Sequence, residues 1–183
     1  MDGIFNINKA VGMTSHDVVA KVRKLLRQRR VGHAGTLDPA ASGVLPICVG
    51  QGTRVAEYLS ESGKAYRAEV VFGAVTDTYD AEGIVVRTAS TKGLTLSKIG
   101  EVLQRFVGPQ MQLPPRYSAI KLKGQPAYKL ARAGEEVVLE PRAIVISELR
   151  IVEWTAPRLV LDVECSKGTY CLLYTSDAAD DLT

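Results

Sequence analysis

Length, composition and charge exclude several classes of protein. The chain has 183 residues, of which 46% are hydrophobic and 23% charged, which is the balance of a folded domain and not of a disordered tail. Its longest apolar run, residues 44–49, is far shorter than the roughly 18 residues of a membrane span, and the N-terminus lacks the basic start of a signal peptide. We therefore expect a cytoplasmic protein.

Positive charge is concentrated near the N-terminus. Residues 1–60 carry eight Lys or Arg and four acidic side chains, a net charge of +4, whereas the remaining residues carry 15 basic and 16 acidic side chains, a net charge of −1. Six of the eight basic residues fall within residues 21–30. Such a segment indicates a polyanionic partner such as nucleic acid, although a solvated helix face gives the same pattern.

The first sixty residues predict a strand, a helix, a loop and a second strand. Apolar and polar residues alternate over residues 3–10, and Thr14 with Asp17 predicts a helix cap. The helix that follows has valines and leucines at helical spacing (Val18, Val19, Val22, Leu25 and Leu26), and its outward face carries basic residues (Arg23, Lys24, Arg27 and Arg30). An irregular loop over 32–43 leads into a strand over 44–49, and Thr53 is expected to cap a short helix ending near residue 60.

The rest of the chain predicts more strands than helices. We expect a helix over 96–106, stopped by Gly108 and Pro109, and a helical turn over 128–132. Strands are predicted over 64–73, 84–88, 142–154 and 158–166, with a polar turn at 76–83 and a loop at 110–116. This order predicts a mixed, mostly antiparallel α+β domain.

Several motifs that resemble nucleotide or metal sites lack a required residue. Residues 50–55 resemble a dinucleotide-binding turn, but Val55 occupies the position of the third glycine. Residues 77–83 resemble a calcium loop with a threonine where the first carboxylate belongs, so a polar hairpin turn is expected instead. The three cysteines form no Cys-x-x-Cys pair, and His16 and His33 lack partners at metal-ligand spacing. We therefore predict no metal site.

The loop over residues 32–43 presents a carboxylate. Asp38 precedes Pro39, which biases it away from helical geometry, and Gly32, Gly35 and Gly43 allow a bulky partner to approach the backbone closely. Taken alone, an Asp-Pro pair is also common in ordinary turns.

Residues 32–46, Gly-His-Ala-Gly-Thr-Leu-Asp-Pro-Ala-Ala-Ser-Gly-Val-Leu-Pro, closely resemble the catalytic loop of the TruB-type tRNA pseudouridine synthases. The match continues in register over about residues 3–170. Its further motifs are Asn8 to Asp17, Gly52 to Arg54, Lys64 to Arg67, Thr76 to Asp80, Pro114 to Lys121 and Cys165 to Tyr170.

This resemblance implies an isomerase without a cofactor. Such enzymes convert uridine 55 in the T loop of tRNA to pseudouridine, and Asp38 matches their catalytic carboxylate. Tyr66 matches the tyrosine that stacks on the extruded uracil, His33 the residue that enters the T loop, and Tyr170 a further aromatic wall of the site. Whether the aspartate attacks the sugar or the base, or assists a glycal route, stays open.

The resemblance also implies contacts with RNA. We expect Lys64 and Arg54 to bind substrate, and four basic residues to contact phosphate (Arg23, Lys24, Arg27 and Arg30). The implied partner is the T arm and T loop of tRNA. We expect the protein to be a monomer that does not bind a membrane.

The C-terminus departs from the family pattern. Family members continue Gly-Thr-Tyr-x-Arg, with an arginine that pairs with the catalytic aspartate, whereas this chain has Leu172 at that position. Residues 171–183 back-translate into a sequencing adapter, so we predict a non-native tail after a catalytic-domain portion at 1–170, without a C-terminal PUA domain. Because the arginine is absent, a non-catalytic RNA-binding or RNA-folding module is the alternative function.

Overall fold

The chain divides into two compact units, the first ending at Ser62 and the second beginning at Gly63. This is a computed structural model, and it describes residues 1–116, 118, 120–122, 124–135 and 137–171. The predicted adapter-derived tail at 171–183 lies outside the described residues except for Cys171. The predicted domain boundary at residue 170 stays a prediction.

The first unit is a three-stranded antiparallel sheet with one long helix. The elements are β1 (Gly3–Lys9), α1 (Ser15–Leu26), β2 (Val31–His33), β3 (Gly43–Val49), a 3₁₀ helix (Gly50–Val55) and α2 (Ala56–Glu61). The strands lie in the order β1-β3-β2, so the strand that follows the loop carrying Asp38 is central. The core between helix and sheet contains Val18, Val19, Val31, Leu45, Ile47 and Val49.

Helix α1 begins at the predicted cap. The Thr14 hydroxyl accepts the Asp17 N–H at 3.1 Å, and the Asp17 carboxylate accepts the Thr14 N–H at 2.9 Å, so two otherwise unpaired donors are satisfied. The hydrogen bond from the Thr14 hydroxyl is the main cause that lowers the pKa of Asp17. The predicted strand and cap at this end of the chain are confirmed.

The end of α1 differs from the prediction. Arg27 adopts a left-handed conformation with φ +50°, and its N–H returns to the carbonyls of Arg23 and Lys24, which closes the helix after Leu26. Arg27 and Arg30 therefore lie beyond the helix and not on its outward face. Leu25, which we expected on the apolar face, is 82% exposed.

The turn after β3 also differs from the prediction. Thr53 does not cap a helix, because it lies inside the 3₁₀ helix, where its hydroxyl donates to Gly50 O at 2.8 Å and accepts from Arg30 Nε at 2.7 Å. Gly50 and Gly52 lie against the N-terminal residues: a Cβ on Gly50 would overlap Asp2, and a Cβ on Gly52 would overlap the Gly3 carbonyl. Close backbone approach therefore explains these glycines without a nucleotide.

The second unit is built on a four-stranded antiparallel sheet. Its elements are β4 (Lys64–Val71), β5 (Ala74–Thr76), β6 (Val85–Thr88), α3 (Leu96–Gln104), β7 (Gly108–Gln112), β8 (Lys121–Leu122), β9 (Gln125–Pro126), α4 (Ala127–Arg132), β10 (Arg142–Thr155) and β11 (Arg158–Cys165). The four strands lie in the order β4-β11-β10-β7. Helix α3 packs on one face through Ile99 and Leu103, and Phe72 meets Trp154 edge to face with ring centroids 5.8 Å apart.

The predicted fold class, a mixed and mostly antiparallel α+β arrangement, is confirmed. The polar turn over 77–83 joins the β5–β6 hairpin as expected. The loop predicted at 110–116 is wrong in its first part, because Gly108–Gln112 forms edge strand β7 and pairs with β10. Among the described residues, no helix is both long and apolar enough to cross a membrane.

Candidate active site

Asp38 lies in the loop of residues 34–42 that joins β2 to β3 in the first unit. Its side chain is exposed, and its carbonyl accepts the Ala41 N–H at 3.0 Å, which closes a turn around Pro39. A loop between two strands of one sheet is held at both ends by the ladder of β3. The sequence therefore presents this carboxylate on a firmly supported turn.

Two hydrogen-bonded anchors flank Asp38 in the chain. Before it, the backbone N–H of Leu37 donates to Ser15 Oγ at 2.9 Å, and Ser15 Oγ donates to Leu37 O at 3.3 Å. After it, the Gly12 N–H donates to Pro39 O at 2.8 Å. Gly12 lies in the segment that leads from β1 into α1, and Ser15 is the first residue of α1.

A buried lysine organises that segment. Lys9 is 1% exposed, and its ammonium group donates to Ala10 O at 3.0 Å and Met13 O at 2.7 Å. Burial of an ammonium group costs free energy unless its protons are hydrogen-bonded. The two hydrogen bonds from Lys9 therefore fix the turn at residues 10–13. Gly12, which anchors Pro39, is part of that turn.

His33 and Arg54 also belong to the first unit. His33 ends β2 opposite Ile47, and its Nδ1 atom is buried without a hydrogen-bond partner among the residues that the structure describes. Arg54 lies on the 3₁₀ helix with an exposed side chain.

The four basic residues predicted to contact phosphate are all exposed, but they differ in their bonding. Arg23 Nη2 donates to Val31 O at 2.8 Å, and Arg30 Nε donates to Thr53 Oγ1 at 2.7 Å, so both guanidinium groups are held by the protein. The side chains of Lys24 and Arg27 have no such bond within the described part of the chain. They are therefore the better candidates for contact with an external anion.

Tyr66 and Lys64 belong to the second unit, on strand β4. Tyr66 lies opposite Val163 of β11 and is half-buried against the core beneath the sheet. Lys64, also half-buried, lies opposite Cys165. The prediction that a strand carries both residues is confirmed, whereas their roles stay predictions.

Tyr170 is held through its backbone. The side-chain amide of Gln112, 7% exposed, accepts the Tyr170 N–H at 2.9 Å and donates to Tyr170 O at 3.0 Å. Gln112 thus forms with Tyr170 the kind of paired bond that one strand forms with another. We missed Gln112 because it falls in the segment that we predicted to be a loop.

The predicted site residues therefore fall into two groups. Asp38, His33 and Arg54 belong to the first unit, and Tyr66, Lys64 and Tyr170 belong to the second. Among the described residues, no group of three His, Cys, Asp or Glu side chains is arranged to hold a metal ion.

Lys9 and Ser15 were also absent from the predicted site residues. A signal for Lys9 was available, because it follows Ile7 at the alternate position of a strand, and Ile7 packs against the core of the first unit. Ser15 carries no such signal, since a serine at a helix start is ordinary.

The model of one protein family matches residues 23–171, and it describes the N-terminal domain of TruB family pseudouridylate synthases. The chain belongs to the TruB family. The predicted resemblance is thereby confirmed.

Curated TruB relatives are similar over most of the chain. A tRNA pseudouridine synthase B of Caldanaerobacter subterraneus subsp. tengcongensis is 47% identical over 183 residues, which are 100% of this chain and 64% of the relative. One of Symbiobacterium thermophilum is 51% identical over 173 residues, 93% of this chain and 58% of the relative. The chain thus spans about three fifths of the relatives it matches.

Solved structures support the same fold. A chain in the crystal structure of a Cbf5-Nop10-Gar1 complex is similar with a TM-score of 0.75 and 28% identity, covering 98% of this chain and 44% of that one. A chain in an H/ACA RNP bound to a substrate RNA containing 2'-deoxyuridine gives a TM-score of 0.70 at 26% identity, covering 98% and 43%.

Proposed function

We propose that the complete protein is a tRNA pseudouridine synthase that isomerises uridine 55 in the T loop, with Asp38 as its catalytic carboxylate. The observation that carries the proposal is the Asp38 loop, which matches the family's catalytic loop over residues 32–46 and is anchored on both sides of an exposed carboxylate. Relatives of this chain are named tRNA pseudouridine synthase B, which supports the reaction and the RNA class.

The reaction breaks the N1 glycosidic bond, turns the uracil and joins C5 to C1′ of the ribose. The C5 hydrogen leaves as a proton and N1 gains one, so the reaction needs no oxidant or cofactor. An exposed carboxylate suits either of two roles. It can act as a nucleophile that attacks the sugar or the uracil, or as a general base that removes a proton from the ribose on a glycal route. Both routes require Asp38 to be ionised and fixed in direction.

Access to the base requires the uridine to leave its stack. Flipping a base costs a few kcal/mol, which stacking on an aromatic face and filling of the vacated space can offset. The proposal gives these two tasks to Tyr66 and His33, with Tyr170 as a second aromatic surface. An aromatic ring on a strand, as at Tyr66, is held in direction by the sheet.

The proposed RNA contacts follow the charge distribution. Structured RNA is bound largely by shape and phosphate contacts, which the exposed Lys24, Arg27 and Arg54 suit. Arg23, Arg30 and Lys64 are proposed as secondary contacts. The proposal places one protomer with tRNA in the cytoplasm.

Charge removal at Lys24 and Arg27 is expected to weaken tRNA binding in a salt-dependent way. Each lost phosphate contact makes the negative slope of log K against log salt shallower by about 0.7 to 0.9, so the double change to Gln should make it shallower by about 1.5. Lys92→Gln with Lys98→Gln in the second unit removes the same charge and serves as the control. Equal slopes for both double variants would contradict the assignment of phosphate contacts to Lys24 and Arg27.

The function itself is tested by tritium release from tRNA labelled at uracil C5. The gene is first resequenced across codon 170 and the complete product is expressed, so that a damaged C-terminus does not imitate a wrong assignment. Release is expected from tRNA with uridine at position 55 and not from tRNA with cytidine there. Tight, salt-sensitive binding without release by the complete product would instead favour the RNA-binding module.

A further inference from the structure

We infer that Ser15 is a positioning residue, whose hydroxyl holds the backbone of Leu37 and thereby fixes the direction of the Asp38 carboxylate. The inference rests on the proposed function, because it concerns the rate of the step that Asp38 is proposed to catalyse.

The Ser15–Leu37 pair joins the first residue of α1 to the loop that carries Asp38. One hydroxyl accepts the Leu37 N–H at 2.9 Å and donates to the carbonyl of the same residue at 3.3 Å, across 22 residues of sequence. Ser15 is 3% exposed, so water does not compete for these bonds. A single side chain thus satisfies both backbone groups of the residue that precedes Asp38.

Leu37 lies outside the strands, so the hydrogen-bond ladder of the sheet does not fix its backbone. Residues 34–42 belong to no strand or helix, so hydrogen bonds from outside the loop determine the course of their backbone. Leu37 packs its half-buried side chain against the core of the first unit, and Gly12 holds Pro39 on the other side. Asp38 is consequently suspended between two fixed residues.

Loss of the hydroxyl removes the support on the Leu37 side of Asp38. A shift of about 1 Å at a reacting group can lower a rate by about a hundredfold, whereas the proposed phosphate contacts of Lys24 and Arg27, at the opposite end of α1 from Ser15, are unaffected. The expected signature is therefore a fall in kcat with KM and Kd for tRNA unchanged.

Thr14 offers a matched control. It is adjacent to Ser15 and stabilises the same helix through the cap with Asp17, and among the described residues its side chain forms hydrogen bonds only with Asp17. Thr14→Ala therefore weakens the helix start without releasing Leu37. A loss of activity that arises merely from a weakened α1 would appear in both variants.

The experiment compares Ser15→Ala, Ser15→Thr and Thr14→Ala in the complete gene product. Tritium release gives kcat and KM, a binding titration gives the Kd for tRNA, and thermal unfolding gives the midpoint temperature. Activity is assayed well below the lowest of these midpoint temperatures. We expect Ser15→Ala to lower kcat about tenfold or more, with KM and Kd within twofold. Thr14→Ala should keep kcat within twofold, and Ser15→Thr, which retains the hydroxyl, should recover most of the lost rate.

Two results would overturn the inference: an unchanged kcat for Ser15→Ala, or equal losses for Ser15→Ala and Thr14→Ala. Asp38→Asn, assayed beside them, separates this failure from failure of the proposed function. If Asp38→Asn is inactive while Ser15→Ala turns over normally, only the positioning role is lost. If Asp38→Asn is fully active, the catalytic role proposed for Asp38 fails, and if the unchanged gene product releases no tritium, the proposed function itself fails.

Discussion

Replacing Asp38 by Asn is expected to lower kcat for pseudouridine formation by about a thousandfold or more, with the Kd for tRNA changed by less than about threefold. Asparagine keeps the size of the side chain but removes both the charge and the ability to take a proton or attack carbon. The side chain is exposed, so the change leaves the core of the first unit intact. Tritium release under single-turnover conditions measures the effect on the chemical step.

Glu57→Gln is the matched control for that prediction. It makes the same carboxylate-to-amide change in the same unit, at an exposed position of α2 that has no proposed role. We expect its kcat to equal that of the unchanged protein. An Asp38→Asn protein with normal turnover would remove Asp38 from the chemistry and leave the family membership without an assigned catalytic group.

Local signals were sufficient for much of the fold. The cap at Thr14 and Asp17 and the long strands β10 and β11 each follow from neighbouring residues in the chain, and the structure confirms them. The irregular loop around Asp38 is confirmed over 34–42, but its predicted start is wrong, because Val31–His33 pairs with β3 as strand β2. Proline and glycine positions determine the ends of such strands and loops to within a few residues. The mostly antiparallel class followed from the number of strands and the short connections.

Other features depend on partners distant in the chain. Strand β7 contains Gly108 and Pro109, which indicate a turn locally, and it becomes a strand because β10 offers it an edge. Helix α1 stops at Leu26 because Arg27 turns into the left-handed region, which no residue type at that position announces.

The candidate site likewise combines a residue predicted from local sequence with supports that are distant in the chain. Asp38 was predicted from its own loop, but the groups that hold it, Ser15 and the turn organised by Lys9, are 22 or more residues away. Gln112 holds Tyr170 across 58 residues of sequence. Such supports follow from the packing of elements, so sequence reasoning finds the presented group before it finds the groups that orient it.

Replacing Gly50 by Ala is expected to lower the free energy of unfolding by at least about 2 kcal/mol, since two costs add. Gly50 has φ +57°, a conformation that costs an L-residue with a Cβ about 1 kcal/mol or more. Its Cβ would also lie 2.6 Å from Met1 O and 2.9 Å from Gln28 Nε2, and it would overlap the Asp2 carboxylate, which requires the N-terminal segment to move.

Gly100→Ala provides the opposite expectation from the same substitution. Gly100 lies inside α3, where a Cβ would meet nothing within 4 Å, so alanine should raise the free energy of unfolding by roughly 0.5 to 1 kcal/mol. Thermal and urea unfolding of both variants measure the difference. If Gly50→Ala were as stable as the unchanged protein, then the packing of the N-terminus on residues 50–52 would not contribute to the fold, and the two glycines would need a different explanation.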